Sequence, residues 1–108
     1  MTETYSITIP VLTSVSKLGM FWRQNTGTFR TMDGSRVIRA TSIDGVADIM
    51  GCYRGRAVAI ETKTLTGKLR QTQIVFRRQW EKSGGVYIVA RCIQDALDGL
   101  TAISVDNS

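Results

Sequence analysis

The sequence contains no histidine, and this absence excludes more chemistry than any other feature of its composition. Without imidazole there can be no Ser-His or Cys-His nucleophile pair, and a zinc site would lack its commonest nitrogen ligand. The two cysteines, Cys52 and Cys92, fit no zinc-binding spacing, so we expect two unpaired, buried thiols. Acid–base chemistry must therefore come from carboxylates, lysine or a metal-bound water.

Long apolar runs are also absent. No run approaches the length of a membrane-spanning helix, and residues 1–4 lack the basic and apolar parts of a signal peptide. We therefore expect an intracellular, cytoplasmic protein that makes no membrane contact. With 108 residues, the chain has the length of one domain with one core, and we assign residues 1–108 to a single domain.

Basic residues are concentrated in the middle of the chain. All fourteen lysines and arginines lie within residues 17–91, where only five acidic residues accompany them, a balance of +9. The remaining four acidic residues lie outside that segment. Such a segment indicates a polyanionic partner, most often nucleic acid, although a merely basic surface is the alternative interpretation.

Hydrophobic periodicity predicts an alternation of strands and helices. Helices are predicted at residues 11–18, 69–83 and 93–100, and strands at residues 36–41, 46–53, 56–64 and 86–90. Near the N-terminus, Tyr5, Ile7 and Ile9 alternate with polar residues, which favours a strand that could pair with a second copy of the chain. The order predicts an α/β fold with a central mixed β-sheet flanked by helices.

The strongest local signal is a hairpin. Only two residues, one of them glycine, separate the strands predicted at 46–53 and 56–64. A loop this short fixes the register and places Asp48 opposite Glu61, with Cβ atoms about 4.5–5.5 Å apart. Lys63 follows two residues later and projects from the same face. Opposed carboxylates repel, so Lys63 and an oxygen-preferring divalent cation should offset the repulsion. The alternative is a surface salt-bridge cluster.

Gln73 is a polar residue in an apolar helical stripe. Leu69, Phe76 and Trp80 recur at helical spacing, and Gln73 lies four residues after the first and three before the second. Its side chain should therefore point at the sheet, close to the carboxylates. The alternative is an amide that bonds only to backbone groups.

These residues together resemble the PD-(D/E)XK nuclease superfamily and, more narrowly, the VRR-NUC family in its compact, stand-alone form typical of phages and mobile elements. The likeness covers residues 21–91 and rests on residues 45–51, the Glu61-Thr62-Lys63 triplet, Gln73, and residues 23–27 and 84–87. Ala47 stands where the superfamily name has proline.

The resemblance implies a PD-(D/E)XK restriction-endonuclease-like fold and a metal-dependent DNA endonuclease. It implies that Asp48 and Glu61 bind Mg²⁺ or Mn²⁺, with the Thr62 carbonyl completing the ligand set. It also implies that Lys63 contacts the attacking water or the scissile phosphate, with Gln73 nearby. Many family members add a glutamate from the first helix, for which the only candidate here is Glu3.

The resemblance further implies a homodimer that cuts branched DNA such as Holliday junctions. The family's association with phages would place the protein in a host cell. The residues that we expect to contact DNA are polar or basic: Arg23, Asn25, Arg30, Lys68, Arg70, Arg77 and Arg78.

Two other functions fit the composition. A nucleic-acid-binding module without catalysis could use the aromatic residues among the arginines, namely Phe21, Trp22, Phe29 and Tyr53. A structural or assembly protein with a basic docking face is the second. Only the nuclease requires Asp48, Glu61 and Lys63 together.

Overall fold

A computed structural model describes residues 4–24, 28–39 and 43–103. It shows a mixed α/β fold. The helical elements are a π-helical turn at Thr4–Thr8, α1 at Ile9–Val15, α2 at Gln71–Lys82 and α3 at Ile93–Thr101. The strands are β1 at Met20–Arg23, β2 at Thr28–Arg30, β3 at Val37–Arg39, β4 at Ile49–Tyr53, β5 at Arg56–Thr62 and β6 at Val86–Ala90.

Four strands form one mixed sheet in the order β1-β4-β5-β6. The β1–β4 and β4–β5 pairs are antiparallel, whereas β5 and β6 are parallel and are joined by the crossover helix α2. The predicted mixed sheet with flanking helices is therefore confirmed. The strand predicted at residues 36–41 contributes β3, which pairs with β2 in a separate two-stranded sheet.

The hairpin between β4 and β5 has the predicted register. Arg54 and Gly55 form its two-residue loop with φ angles of 49° and 84°, the positive values that a type I′ turn requires. From the Tyr53–Arg56 pair the ladder runs regularly to Ile49–Ile60. Glycine at the second loop position removes the steric cost of this conformation, so the sequence specifies the turn and the turn specifies the pairing.

Both faces of the sheet are covered. On one face, α1 and α3 pack against the strands, and the buried core contains Val11, Val15, Ile49, Val58, Ile60, Ile88, Ala90, Ala96 and Leu100. On the other face, Ala59 and Tyr87 contact the predicted apolar stripe of α2 through Phe76 and Trp80. In the described part of the chain no helix is long and apolar enough to cross a membrane.

The strand predicted near the N-terminus is wrong. Residues Thr4–Thr8 form a π-helical turn that continues into α1. Thr8, Val11 and Val15 are all buried, and their spacing of three and four residues is that of one helix face. Burying this face outweighs the local alternation of apolar residues, and an N-terminal edge strand for pairing with a second copy does not form.

Three further features differ from expectation. No strand was predicted at residues 28–30, where β2 lies. β1 was not predicted, because it lies at the sheet edge with most of its side chains exposed and so carries no burial pattern. Cys52 and Cys92 are unpaired as expected, but both are exposed, which corrects the prediction of buried thiols. Cys92 precedes the first turn of α3, outside the core.

Candidate active site

Asp48 and Glu61 meet where β4 begins and β5 ends. The regular ladder stops one pair earlier, at Ile49–Ile60. Beyond it, the Asp48 N–H donates to Glu61 Oε1 at 3.2 Å, and the Thr62 N–H donates to Asp48 Oδ2 at 3.0 Å. Each carboxylate thus binds a backbone amide of the opposite strand. Asp48 and Glu61 therefore lie opposite each other, as the hairpin register predicts. Bonds from backbone N–H groups to their carboxylates replace the backbone–backbone bonds that would continue the ladder.

A close backbone approach positions this pair beside α2. Gly45 has a φ of +75°, and a Cβ built on it would lie 2.2 Å from the Thr72 carbonyl oxygen. No other residue type can therefore occupy this position without moving backbone. The approach seats the segment that leads to Asp48 against the first turn of α2, where Gln73 lies.

Gln73 connects α2 to the carboxylates. Its Oε1 accepts from the Arg70 N–H at 2.8 Å, which satisfies one free donor at the helix N-terminus. Its Nε2 donates to Glu61 Oε2 at 2.8 Å. The amide therefore makes both the backbone contact and the contact with the carboxylates, which the sequence presents as alternatives. Because Gln73 is buried, its two bonds fix the position of Glu61.

Lys63 lies against the same carboxylate. Its Nζ is 3.3 Å from Glu61 Oε2, and its side chain is only 12% exposed. The Lys63 N–H donates to the Ala90 carbonyl at 3.0 Å, which continues the pairing with β6 past the end of β5. The loop that follows is held by the Arg91 guanidinium, which donates to the carbonyls of Thr64 and Gly67. Lys63 is thus fixed from both sides.

The electrostatics of the site centre on Glu61. Burial raises the pKa of Glu61, and the nearby negative charge of Asp48 raises it further, to about 7, although Lys63 acts in the opposite direction. In the absence of a cation, the carboxyl is therefore divided between its protonated and ionised forms at neutral pH. A buried carboxyl that retains a proton beside a second carboxylate is a group that a cation can stabilise.

The donor set fits a magnesium-like ion. Among the described residues, hydrogen bonds to Asp48 reach Oδ2 and leave Oδ1 for a ligand. In a strand the N–H and C=O of one residue point to the same neighbour, so the Thr62 carbonyl faces the Asp48 side as its N–H does. Mg²⁺ commonly takes one or two carboxylates and keeps several waters.

The site has few ionisable ligands besides this pair. Within residues 4–24, 28–39 and 43–103, no group of three or more histidine, cysteine, aspartate or glutamate side chains is arranged to hold a metal. Glu3, the additional site residue that the sequence suggested, lies outside the described residues.

Three of the expected DNA-contacting residues belong to chain segments that adjoin those of the site. Arg23 is exposed at the end of β1, opposite Ile49, and the next residue's N–H donates to the Asp48 carbonyl at 2.7 Å. Lys68 and Arg70 are exposed in the segment between Lys63 and α2. The backbone therefore brings the end of β1 close to Asp48, and Gln73 connects the Arg70 backbone to Glu61.

The remaining members of that set are placed differently. Arg77 bonds Glu81 at 3.2 Å, and its guanidinium carbon lies 5.1 Å from the centroid of the Tyr87 ring, so it is engaged in contacts within the protein. Arg78 is exposed on α2. Asn25 lies outside the described residues, and for Arg30 only the backbone, in β2, is described.

Sequence reasoning missed two polar residues close to the site. Thr8 is buried and its Oγ1 lies 2.5 Å from Thr62 Oγ1; its place on the helical face of Val11 and Val15 was the available signal. Tyr87 lies on the α2 face, and its buried hydroxyl has no hydrogen-bond partner among the described residues. Burial, followed by the charge of Glu61, raises the pKa of Tyr87, so the hydroxyl remains a donor.

The chain matches no protein-family model, and no curated protein matches it.

Proposed function

We propose that this protein is a metal-dependent DNA endonuclease of the VRR-NUC type, with a PD-(D/E)XK fold. One observation carries the proposal. Asp48 and Glu61 each accept a hydrogen bond from a backbone N–H of the opposite strand. Lys63 and Gln73 both contact Glu61 Oε2. A surface salt-bridge cluster does not account for this arrangement, because Glu61 and Gln73 are buried and Lys63 is nearly so.

Each residue has a defined role in this proposal. Asp48 Oδ1, Glu61 and the Thr62 carbonyl would hold Mg²⁺ or Mn²⁺. When bound, such an ion polarises a phosphate oxygen and makes its bound water more acidic. Lys63 orients the attacking water or balances charge on the phosphate, and Gln73 fixes the Glu61 carboxylate through its 2.8 Å bond. Arg23, Lys68 and Arg70 bind the flanking phosphates.

The proposed substrate is branched DNA such as a Holliday junction, cut by a homodimer. Resolving a junction requires two symmetric cuts, and a second copy of the chain supplies the second site. The dimer contact has to involve surfaces other than an N-terminal strand, since Thr4–Thr8 are helical.

Cleavage of labelled DNA tests the proposal directly. Wild-type protein should cut a labelled four-way junction with Mg²⁺ or Mn²⁺ and should not cut it with EDTA. Asp48→Asn should abolish cleavage, because it removes a charged ligand. Asp98→Asn is the matched control, since Asp98 lies exposed on α3 and should be dispensable for cutting. Absence of cleavage of junction, flap, nicked and linear DNA by wild type would overturn the proposal, and binding without cleavage would favour a non-catalytic nucleic-acid-binding module.

DNA binding should depend steeply on salt. Each phosphate neutralised by a cation contributes a slope of about −0.9 to the plot of log affinity against log salt concentration. Replacing Arg23, Lys68 or Arg70 with alanine should remove about one phosphate contact in each case, and the slope should become shallower by the amount that one contact contributes. Lys82→Ala, at the far end of α2, should leave it unchanged. Fluorescence anisotropy with labelled DNA measures this, and a flat salt dependence would exclude these residues as a DNA-binding surface.

A further inference from the structure

Two buried threonine hydroxyls are connected to Asp48 by consecutive hydrogen bonds. Thr8 is 4% exposed and Thr62 is fully buried. Their Oγ1 atoms are 2.5 Å apart, and Thr62 Oγ1 lies 2.7 Å from Asp48 Oδ2. The three groups therefore form a continuous chain of hydrogen bonds from the N-terminal helix, through the last residue of β5, to the candidate metal-binding carboxylate.

The direction of this chain follows from the number of protons. An ionised carboxylate only accepts hydrogen bonds, so the single hydroxyl proton of Thr62 is donated to Asp48. Thr62 Oγ1 then has no proton left for Thr8, and Thr8 must donate to Thr62. Donation from a neighbouring hydroxyl polarises the second bond and strengthens it. Thr8 thus acts on Asp48 through Thr62 without touching it.

Asp48 Oδ2 receives two bonds from one residue. The Thr62 N–H donates at 3.0 Å and the Thr62 hydroxyl at 2.7 Å. Two donors on one oxygen fix the rotation of the carboxylate and direct Oδ1 away from them. We propose that Thr62 and Thr8 are positioning residues that orient Asp48 for metal binding, and that the N-terminal helix is a functional part of the site. This inference rests on the proposed function.

The helix is held firmly enough for this role. Thr8 lies on the same face as Val11 and Val15, both fully buried in the core. Packing of these two residues fixes the distance of the helix from the sheet and its rotation about its own axis. The position of Thr8 opposite Thr62 is therefore set by apolar contacts rather than by the hydrogen bond alone. Polar partners that orient metal ligands in this way are worth about 10–100-fold in metal affinity.

The experiment compares hydroxyl-deleting with hydroxyl-retaining variants. Mn²⁺ is titrated calorimetrically, at one pH, into wild type, Thr62→Val, Thr62→Ser, Thr8→Val and Thr8→Ser. Valine keeps the branched shape and removes the hydroxyl, whereas serine retains it. Thr62→Val should bind Mn²⁺ about 10–100-fold more weakly. Thr8→Val should lose less, since both bonds from Thr62 to Asp48 survive, and each serine variant should recover most of the affinity.

Thr13→Val is the matched control, because Thr13 is exposed on the same helix and should bind Mn²⁺ as wild type does. Circular dichroism without metal verifies that each variant folds. If Thr62→Val does not fold, the comparison of Thr8→Val with Thr8→Ser tests the inference. Wild-type affinity in both valine variants, or equal loss in the valine and serine variants, would overturn the inference while leaving the proposed function intact. Failure of wild type to bind Mn²⁺ would overturn the proposed function and this inference with it.

Discussion

Lys63→Ala should reduce DNA cleavage by about 10²–10⁴-fold while DNA affinity falls only modestly. The lysine lies 3.3 Å from Glu61 and is largely enclosed, so it is positioned to act on groups at the proposed metal site rather than on distant phosphates of the DNA. An interaction that is made mainly in the transition state lowers turnover more than ground-state binding when it is removed.

A second effect of this substitution has to be separated from the first. Lys63 lowers the pKa of Glu61, so its removal favours the protonated carboxyl and weakens metal binding. Cleavage should therefore be measured at saturating Mg²⁺, where every variant is loaded with metal. The catalytic loss should persist there, whereas a loss that arises only from metal affinity should disappear.

Lys82→Ala provides the matched control for charge. It removes one lysine from the exposed C-terminal end of α2, nine residues and therefore about 14 Å along the helix from Gln73. Its cleavage rate should equal that of wild type. If Lys63→Ala cuts DNA as fast as wild type at saturating Mg²⁺, Lys63 has no role in the chemical step.

The part of the site that could be predicted from sequence is the part that local geometry specifies. The two-residue loop at Arg54 and Gly55, with glycine at its second position, favours a type I′ turn, and that turn fixes which residues of the two strands are opposed. From the register, Asp48 and Glu61 had to approach each other. The 3.6-residue period of α2 likewise predicted that Gln73 would face the sheet.

The features that could not be predicted depend on long-range packing. The segment before α1 alternates like a strand, and only the core that Val11 and Val15 join shows that it is helical. Thr8 was missed because its signal, the helical spacing to Val11 and Val15, can be used only once this segment is known to be helical. The close contact of Gly45 with α2 also joins residues far apart in the sequence, and it carries no local pattern. β1 has too little burial to leave a pattern.

The metal-free protein should lose stability as the pH rises from about 5 to 8. In the folded state, burial and then Asp48 raise the pKa of Glu61 from 4.5 to about 7. The unfolded chain, with the ordinary pKa, releases this proton at lower pH. Between the two pKa values the folded state therefore binds more protons than the unfolded state, and the free energy of unfolding falls with increasing pH.

The expected loss is on the order of 3 kcal/mol, since each pKa unit corresponds to about 1.36 kcal/mol. It should be complete slightly above pH 7, where both states are ionised. Asp33 does not contribute in this window: hydrogen bonds, first from the Ser35 backbone and then from the Thr31 side chain, hold its pKa at about 2. Mg²⁺ should restore stability at pH 8, because it binds the ionised form of the folded protein.

Chemical denaturation at pH 5, 6, 7 and 8, with EDTA or with Mg²⁺, measures both effects. Glu61→Gln cannot ionise, so its stability should fall less steeply with pH than that of wild type and should respond little to Mg²⁺. The comparison uses the slope with pH, because glutamine changes the bonds to Gln73 and Lys63 and therefore the absolute stability. Glu81→Gln, an exposed position paired with Arg77, should keep the wild-type slope. Equal slopes in wild type and Glu61→Gln would mean that Glu61 is ionised in the folded protein throughout this range, and that a cation is not needed to offset its burial beside Asp48.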